Sequence, residues 1–106
     1  MLTMKSISMR DFQEQFDNLE TTIIDVRGAD LYAQGHLPGA VNIPLDELDK
    51  RLEELSRENA YHIICQRGIK SVQATAFLSS KGFDVTNIDG GTIKWNGKLE
   101  QSHNLS

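Results

Sequence analysis

The chain has 106 residues, of which 39% are hydrophobic and 25% charged, so it is long enough for one small domain and too apolar for a disordered segment. Its net charge of −4 disfavours a nucleic-acid partner, and it contains neither a signal-peptide core nor a bilayer-spanning apolar run of roughly 20 residues. Because a single cysteine cannot form an internal disulfide, we expect the reducing environment of the cytoplasm. Because no apolar run is long enough to span a bilayer, we expect no association with membranes.

Strand-like and helix-like segments alternate along the chain. β-branched and apolar runs predict the strands, and apolar residues at three- and four-residue spacing predict the helices. In chain order we predict a strand at 6–7, a helix at 9–19, a strand at 21–26, a helical turn at 30–34, a loop at 35–39, a strand at 40–43, a helix at 45–55, a strand at 61–64, a helix at 71–81, a strand at 83–88 and a short helix at 92–95.

Local signals mark the ends of three helices. Ser8 is a candidate N-cap, because Asp11, three residues on, favours the positive helix start. Asp46 is a candidate cap for the predicted helix at 45–55, and Gly82 stands where a helix commonly ends. The predicted apolar stripe at 45–55 consists of Leu45, Leu48, Leu52 and Leu55. The predicted core side of the 71–81 helix consists of Ala74, Phe77 and Leu78, with Val72 and Ala76 beside them.

This alternation predicts an α/β fold, since parallel strands require crossover connections and helices then cover both faces of the sheet. We expect one domain at 1–96 and a polar C-terminal tail at 97–106 that frays. Ligands on such sheets bind at the carboxyl ends of the strands.

Two segments place candidate chemistry at that edge. Asp25 and Arg27 end one predicted strand, and Cys65 ends another, followed by a tight loop that feeds a helix. Such a loop turns backbone N–H groups inward to form an anion cradle, and a glycine at position 68 permits the backbone geometry. With the added charge of Arg67 and Lys70, the surroundings favour a nucleophilic thiolate at Cys65 over a buried, inert thiol.

Four motifs, in this order and spacing, resemble the rhodanese-like domain family, and in particular its single-domain sulfurtransferases. They are residues 24–27, 35–44, 65–71, and 89–91 followed by Trp95. The resemblance covers nearly the whole chain. It implies a three-layer α/β/α fold with a five-stranded parallel sheet.

The resemblance also implies a mechanism without a cofactor. Cys65 takes sulfane sulfur from a donor such as thiosulfate, a polysulfide or a persulfide, and passes it to cyanide, a thiol or an acceptor protein. Asp25 and Arg27 match a segment that supports the active loop; a purely structural ion pair is the alternative. The implied substrate- and persulfide-binding loop is Gln66, Arg67, Gly68, Ile69, Lys70 and Ser71.

The loop length separates two related chemistries. Six residues from Cys65 to Lys70 match the rhodanese loop, whereas related phosphatases have a longer loop that ends in arginine. Lys70 departs from the family's usual arginine, and lysine lacks the planar fork that grips an oxyanion at two points. Weak thiosulfate binding is therefore expected. A rhodanese-like module that binds or senses, with little turnover, is the alternative function.

The histidines suggest no metal site. His36, His62 and His103 are scattered, and with Cys65 they do not match the spacing of metal ligands. We expect His36 to organise its loop, His62 to lie on a strand face and Trp95 to pack the C-terminal segment.

Overall fold

A computed structural model describes residues 4–102. It contains five strands, three α-helices and four short 3₁₀ segments, and the strands and α-helices alternate in most of the chain. In chain order the strands and α-helices are β1 (Lys5–Ser8), α1 (Met9–Gln15), β2 (Thr22–Asp25), α2 (Ala29–Gln34), β3 (Val41–Asn42), β4 (Ala60–Ile64), α3 (Lys70–Ser80) and β5 (Asp84–Asp89). The 3₁₀ segments are Phe16–Asn18, Leu45–Lys50, Leu52–Glu54 and Thr92–Lys94.

The five strands form one fully parallel sheet with the order β1-β5-β4-β2-β3. The chain runs from β2 outward to β3, and from β4 outward to β5 on the opposite side. The connections therefore diverge between β2 and β4, which opens a crevice at their carboxyl ends. This topology confirms the predicted α/β fold and its five-stranded parallel sheet.

Two apolar clusters cover the two faces of the sheet. One contains Ile63, Val85 and the α3 residues Ala74 and Leu78. The other contains Ile23 and Ile64 together with α1 residues such as Phe12. Because successive strand residues point to opposite faces, β2 and β4 are buried on both sides, as expected for central strands of a parallel sheet.

Two predicted helix ends are confirmed by their hydrogen bonds. The Ser8 hydroxyl accepts the N–H of Asp11 and caps α1. At the end of α3, Gly82 has φ +90°, its N–H donates to the carbonyl of Ser79, and the next N–H donates to that of Leu78. This pair of hydrogen bonds is a Schellman motif, which requires a residue with left-handed backbone angles at the position of Gly82.

The predicted helix at 45–55 is wrong in type. The segment forms two 3₁₀ runs interrupted at Arg51, and the Asp46 side chain caps neither of them. A 3₁₀ helix has three residues per turn, so the leucines at spacing three, Leu45 with Leu48 and Leu52 with Leu55, still face the core.

The predicted core face of α3 needs a smaller correction. Ala74 and Leu78 are buried as expected, but Val72 and Ala76 are exposed. Buried polar residues, Ser71 and Thr75, take their place, and the Thr75 hydroxyl donates to the Ser71 carbonyl at 2.7 Å. This internal hydrogen bond removes the main cost of burying a hydroxyl.

The polar segment after Trp95 is bonded to the domain as far as it is described. Glu100 pairs antiparallel with His36, with N–H···O distances of 2.8 and 2.9 Å, and Ser102 donates to the carbonyl of Ala33. The expected fraying is therefore absent at these two residues, and the domain boundary at residue 96 stays a prediction. Within residues 4–102, no helix combines the length and the apolar character that crossing a membrane demands.

Candidate active site

Cys65 lies directly after β4, at the carboxyl edge of the sheet and beside the crevice between β2 and β4. Its side chain is only 2% exposed, and its thiol is free. Cys65 nevertheless contributes to the lining of a pocket of about 330 Å³. A nucleophile in this position is sheltered from water but open to a small or narrow partner.

The sulfur of Cys65 has two polar neighbours from the following loop and helix. The N–H of Gly68 donates to Sγ at 3.0 Å, and the hydroxyl of Ser71 lies 3.3 Å from Sγ. Ser71 is fully buried in the first turn of α3. Both groups, together with the positive end of the helix, can stabilise negative charge on sulfur.

Gly68 is required by the shape of this loop. Its φ of +93° lies in the left-handed region that side chains disfavour, and a Cβ would lie 3.1 Å from the backbone nitrogen of Gly90. The turn brings its N–H onto Sγ. The amides of Gln66, Arg67 and Ile69 donate to no protein acceptor within residues 4–102, so they remain available to an anion.

The turn after β5 holds the Cys65 loop in place by hydrogen bonds and close packing. Thr92 donates both its N–H (2.8 Å) and its hydroxyl (3.1 Å) to the carbonyl of Cys65, and the N–H of Ile93 donates to that of Gln66. Gly91, with φ +72°, packs so closely that a Cβ would lie 2.4 Å from the Gln66 oxygen. The sequence prediction missed Thr92. Its position directly after the Asp89-Gly90-Gly91 motif was the available signal.

Asp25 and Arg27 form a buried ion pair beside the pocket. Asp25 is fully buried, Arg27 is 3% exposed, and Nη2 of Arg27 lies 2.7 Å from a carboxylate oxygen of Asp25. The guanidinium also donates to the carbonyl of Gly35 at 2.7 Å and to Oε1 of Gln66 at 3.0 Å. Arg27 thus joins the end of β2 to the first residue of the Cys65 loop.

The pocket has a cationic lining. It is formed by Arg27, Leu31, Cys65, Gln66, Arg67, Ile69 and Lys70. Arg67 and Lys70 are exposed, and neither forms an ion pair with a described residue. The structure therefore places the predicted cysteine, most of its loop and Arg27 around one cavity. Asp25 and Ser71 do not line it, but they contact Arg27 and Cys65, which do.

Neither His36 nor His62 lines the Cys65 pocket. The ring of His36 stacks on Tyr32 at 3.8 Å, and its Nδ1 lies 2.8 Å from the Tyr32 carbonyl, which agrees with a role in organising the loop. Burial raises the pKa of the Tyr32 phenol, helped by the negative charges of Asp25 and Glu100. His103 lies outside the described residues. Within 4–102, no three His, Cys, Asp or Glu side chains are grouped as metal ligands would be.

The predictions for His62 and Trp95 concern packing rather than chemistry. His62, on β4, is 8% exposed and contacts the Phe12 ring at 5.1 Å between centroids. Trp95 packs edge-on against Phe16 at 4.9 Å. Both rings are part of the apolar packing beneath α1.

Comparisons with known proteins converge on one family. A profile of the Rhodanese-like domain matches residues 8–98. The Bacillus subtilis protein named "Putative sulfurtransferase YtwF" is 31% identical over 100 residues, which cover 93% of this chain and 97% of that protein. The Bacillus subtilis "Putative sulfur carrier protein YrkF" is 38% identical over 96 residues, or 89% of this chain, which spans about half (52%) of the longer relative.

Solved structures give the same result. A rhodanese-like domain protein from Staphylococcus aureus superposes with a TM-score of 0.87 at 29% identity, covering 94% of this chain and all of that one. The human single-domain sulfurtransferase TSTD1 superposes with a TM-score of 0.79 at 25% identity, covering 88% and 96% of the two chains. With five parallel strands, a cysteine loop after β4 and a family match over residues 8–98, the chain belongs to the rhodanese-like domain family.

Proposed function

We propose that the chain is a rhodanese-type sulfurtransferase that carries sulfane sulfur as a persulfide on Cys65. The single observation that carries the proposal is the contact of 3.0 Å from the Gly68 N–H to Sγ of Cys65, a residue that lines the same pocket as Arg67 and Lys70, two cations that form no ion pair with a described residue. An N–H donor and nearby positive charge can stabilise the negative charge of the attacking sulfur, and the thiolate is the nucleophilic form of cysteine. The same groups suit the anionic persulfide.

The proposed reaction has two balanced steps. With thiosulfate, the Cys65 thiolate attacks the outer sulfur, the bond between the two donor sulfurs breaks, and sulfite leaves with the electron pair. The product is an anionic persulfide, Cys65–S–S⁻. Cyanide or a thiolate then attacks the terminal sulfur, and the electron pair of the broken S–S bond returns to Sγ, so that thiocyanate or a new persulfide leaves.

The loop residues have distinct roles in this scheme. The free amides of Gln66, Arg67 and Ile69, with that of Gly68, hold the transferred sulfur. Lys70 contributes charge at the start of α3, and the Ser71 hydroxyl turns toward Sγ. Asp25 and Arg27 act as positioning residues, because they reach the loop through Gln66 rather than through sulfur.

The relatives support the general activity and leave the substrates open. YtwF is named a putative sulfurtransferase and YrkF a putative sulfur carrier, so sulfur transfer is the common theme. Thiosulfate, a polysulfide or a low-molecular-weight persulfide is proposed as donor, and cyanide or a thiol as acceptor. A free catalytic thiol suits a reducing compartment such as the cytoplasm.

The experiment is intact-protein mass after brief incubation with thiosulfate, and separately with a polysulfide. We expect the mass to rise by one sulfur atom, to return to its starting value with cyanide and to stay constant in Cys65→Ser. Cys65→Ser is a fair control because it keeps a small polar side chain in the buried position. A folded, reduced protein that gains no sulfur from either donor would favour the binding module instead.

A further inference from the structure

The mouth of the Cys65 pocket carries large apolar side chains on its outer surface. Leu31 and Ile69 line the pocket and are 43% and 69% exposed. Val72 is 39% exposed and lies in the first turn of α3, three residues after Ile69, which caps the helix in a helical backbone conformation, so the spacing makes the two side chains neighbours. Grouped exposed apolar residues of this kind mark contact surfaces. We name Leu31, Ile69 and Val72 the apolar rim.

Two positively charged side chains line the pocket together with the rim residues Leu31 and Ile69. Arg67 and Lys70 line the same pocket, no carboxylate lines it, and the charge of Arg27 is balanced by Asp25. Asp46 shares an adjoining pocket with Lys70, but no ion pair joins them. Because the whole chain carries −4, a positive mouth is a local reversal of sign that would steer an anionic partner to this edge.

The depth of the sulfur restricts the shape of that partner. Cys65 is 2% exposed, so a flat protein surface cannot reach it, whereas a thiol on a narrow segment can. Val72 lies outside the pocket lining, so a small molecule held within the pocket would leave that part of the apolar rim uncovered. The two observations together favour a protruding peptide segment over a free small thiol.

We propose that the apolar rim and the Arg67 and Lys70 charges form a docking surface for an acceptor protein, whose cysteine lies on a protruding segment with acidic and apolar neighbours. This inference rests on the proposed function. The acceptor thiol loses its proton to solvent, and its thiolate attacks the terminal sulfur of the Cys65 persulfide. The S–S bond to Sγ breaks, the electron pair returns to Sγ, and the sulfur leaves on the acceptor as a persulfide.

The test uses two synthetic peptides, acetyl-Glu-Leu-Cys-Leu-Glu-amide and its counterpart with lysine in place of both glutamates. The full chain is first loaded with polysulfide, and its discharge by each peptide, by glutathione and by cyanide is followed by intact mass. Flanking charge alters the thiolate fraction of a peptide, so each rate is divided by that peptide's alkylation rate with iodoacetamide. We expect the acidic peptide to be about tenfold faster at low salt, and the difference to shrink in 1 M salt.

Three exposed positions provide the variants, one apolar and two basic. Val72→Thr keeps the shape of the side chain but makes it polar, and we expect it to slow the acidic peptide about threefold while leaving discharge by cyanide unchanged. Lys70→Gln should reduce the preference for the acidic peptide, whereas Lys50→Gln, an exposed lysine that does not line the pocket, should preserve it.

The outcomes separate this inference from the function on which it rests. If no persulfide forms, the proposed function fails and the docking surface falls with it. If cyanide discharges the persulfide but both peptides react equally, the function stands and the docking surface is wrong. Equal rates for glutathione and the acidic peptide, with no effect of Val72→Thr, would identify a small thiol as the acceptor and also overturn the inference.

Discussion

Thr92 binds the carbonyl oxygen of Cys65 with two hydrogen bonds, from its N–H at 2.8 Å and from its hydroxyl at 3.1 Å. The residue that follows the glycine turn after β5 therefore fixes the backbone of the nucleophile at the end of β4. Both bonds go to the backbone carbonyl rather than to the sulfur, so the role of Thr92 is to position Cys65. The site is consequently built at the ends of three strands, because β4 leads into Cys65, β2 into Arg27 and β5 into Thr92.

Removing the Thr92 hydroxyl tests this role. In Thr92→Val the N–H bond to Cys65 remains, so we expect the free energy of unfolding to fall by about 1 kcal/mol. We also expect slower loading of Cys65 from polysulfide, since the loop loses one of its anchors. Thr92→Ser keeps the hydroxyl and should recover the loading rate. Equal loading rates for the valine and serine variants, measured by intact mass, would contradict a positioning role.

The Asp25–Arg27 pair should behave as a buried ion pair whose halves depend on each other. Arg27→Met leaves a fully buried carboxylate unpaired, and we expect a loss of about 3–5 kcal/mol in the free energy of unfolding. Adding Asp25→Asn removes that charge and should recover part of the loss. Urea denaturation of the two single variants and the double variant measures the coupling. Purely additive effects would show that the pair is not a unit.

Gly91 and Gly28 offer a matched pair of glycine-to-alanine changes. In Gly91→Ala the Cβ would overlap the Gln66 carbonyl at 2.4 Å, at a φ of +72°, so we expect a loss of at least about 2 kcal/mol and poor persulfide formation. In Gly28→Ala, no atom lies within 4 Å of the added Cβ and φ is −62°, so the change should stay within about 1 kcal/mol. Similar losses in both variants would contradict the argument from close packing.

Lys70→Arg tests the departure from the family loop. Lys70 is the first residue of α3 and lines the Cys65 pocket. Arginine would add a planar fork that can hold two oxygens of thiosulfate at once, so we expect a lower KM for thiosulfate. Steady-state assays with cyanide as acceptor measure it, with Lys50→Arg as the control. An unchanged or higher KM would show that this position does not limit thiosulfate binding.

His62 should make stability depend on pH. Burial lowers the pKa of His62 below its usual 6.5, and the positive charge of Lys5 lowers it further, against the opposing effect of Asp84. Below pH 6.5 the unfolded chain therefore binds a proton at this site more readily than the folded chain does. The stability contributed by the neutral ring is complete above pH 6.5 and is lost as pH falls toward the lowered pKa.

A non-titrating variant isolates that contribution. Between pH 7.5 and pH 5, the free energy of unfolding of His62→Gln should decline less steeply than that of the unchanged protein, because glutamine does not titrate. The other titrating groups are common to both proteins, so the difference between the two slopes reports His62 alone. Urea denaturation across this range measures both slopes. Parallel declines would mean that His62 does not contribute to the acid sensitivity.

The sequence predicted the elements whose signals are local. Ser8 caps α1 through a contact three residues away, and Gly82 ends α3 within its own turn. Spacing alone could not separate an α-helix from two 3₁₀ runs at 45–54, because leucines three apart suit both geometries. Val72 was predicted to lie beside the core, but Ser71 and Thr75 occupy that side, since the Thr75 hydroxyl finds a partner within its own helix and the Ser71 hydroxyl lies against Sγ of Cys65.

The family could be recognised from motifs spread along residues 8–98. The succession of most strands and helices, and the position of Cys65 at the start of a six-residue loop before a helix, could be predicted because they depend on residues close together in the chain. The surroundings of the sulfur follow from the folded arrangement of distant segments. Arg27 meets Gln66 39 residues away and Thr92 meets Cys65 27 residues away, and such contacts arise from the strand order rather than from any local pattern. The carboxyl ends of β2, β4 and β5 meet because the sheet places these strands side by side, and the site is formed where they converge.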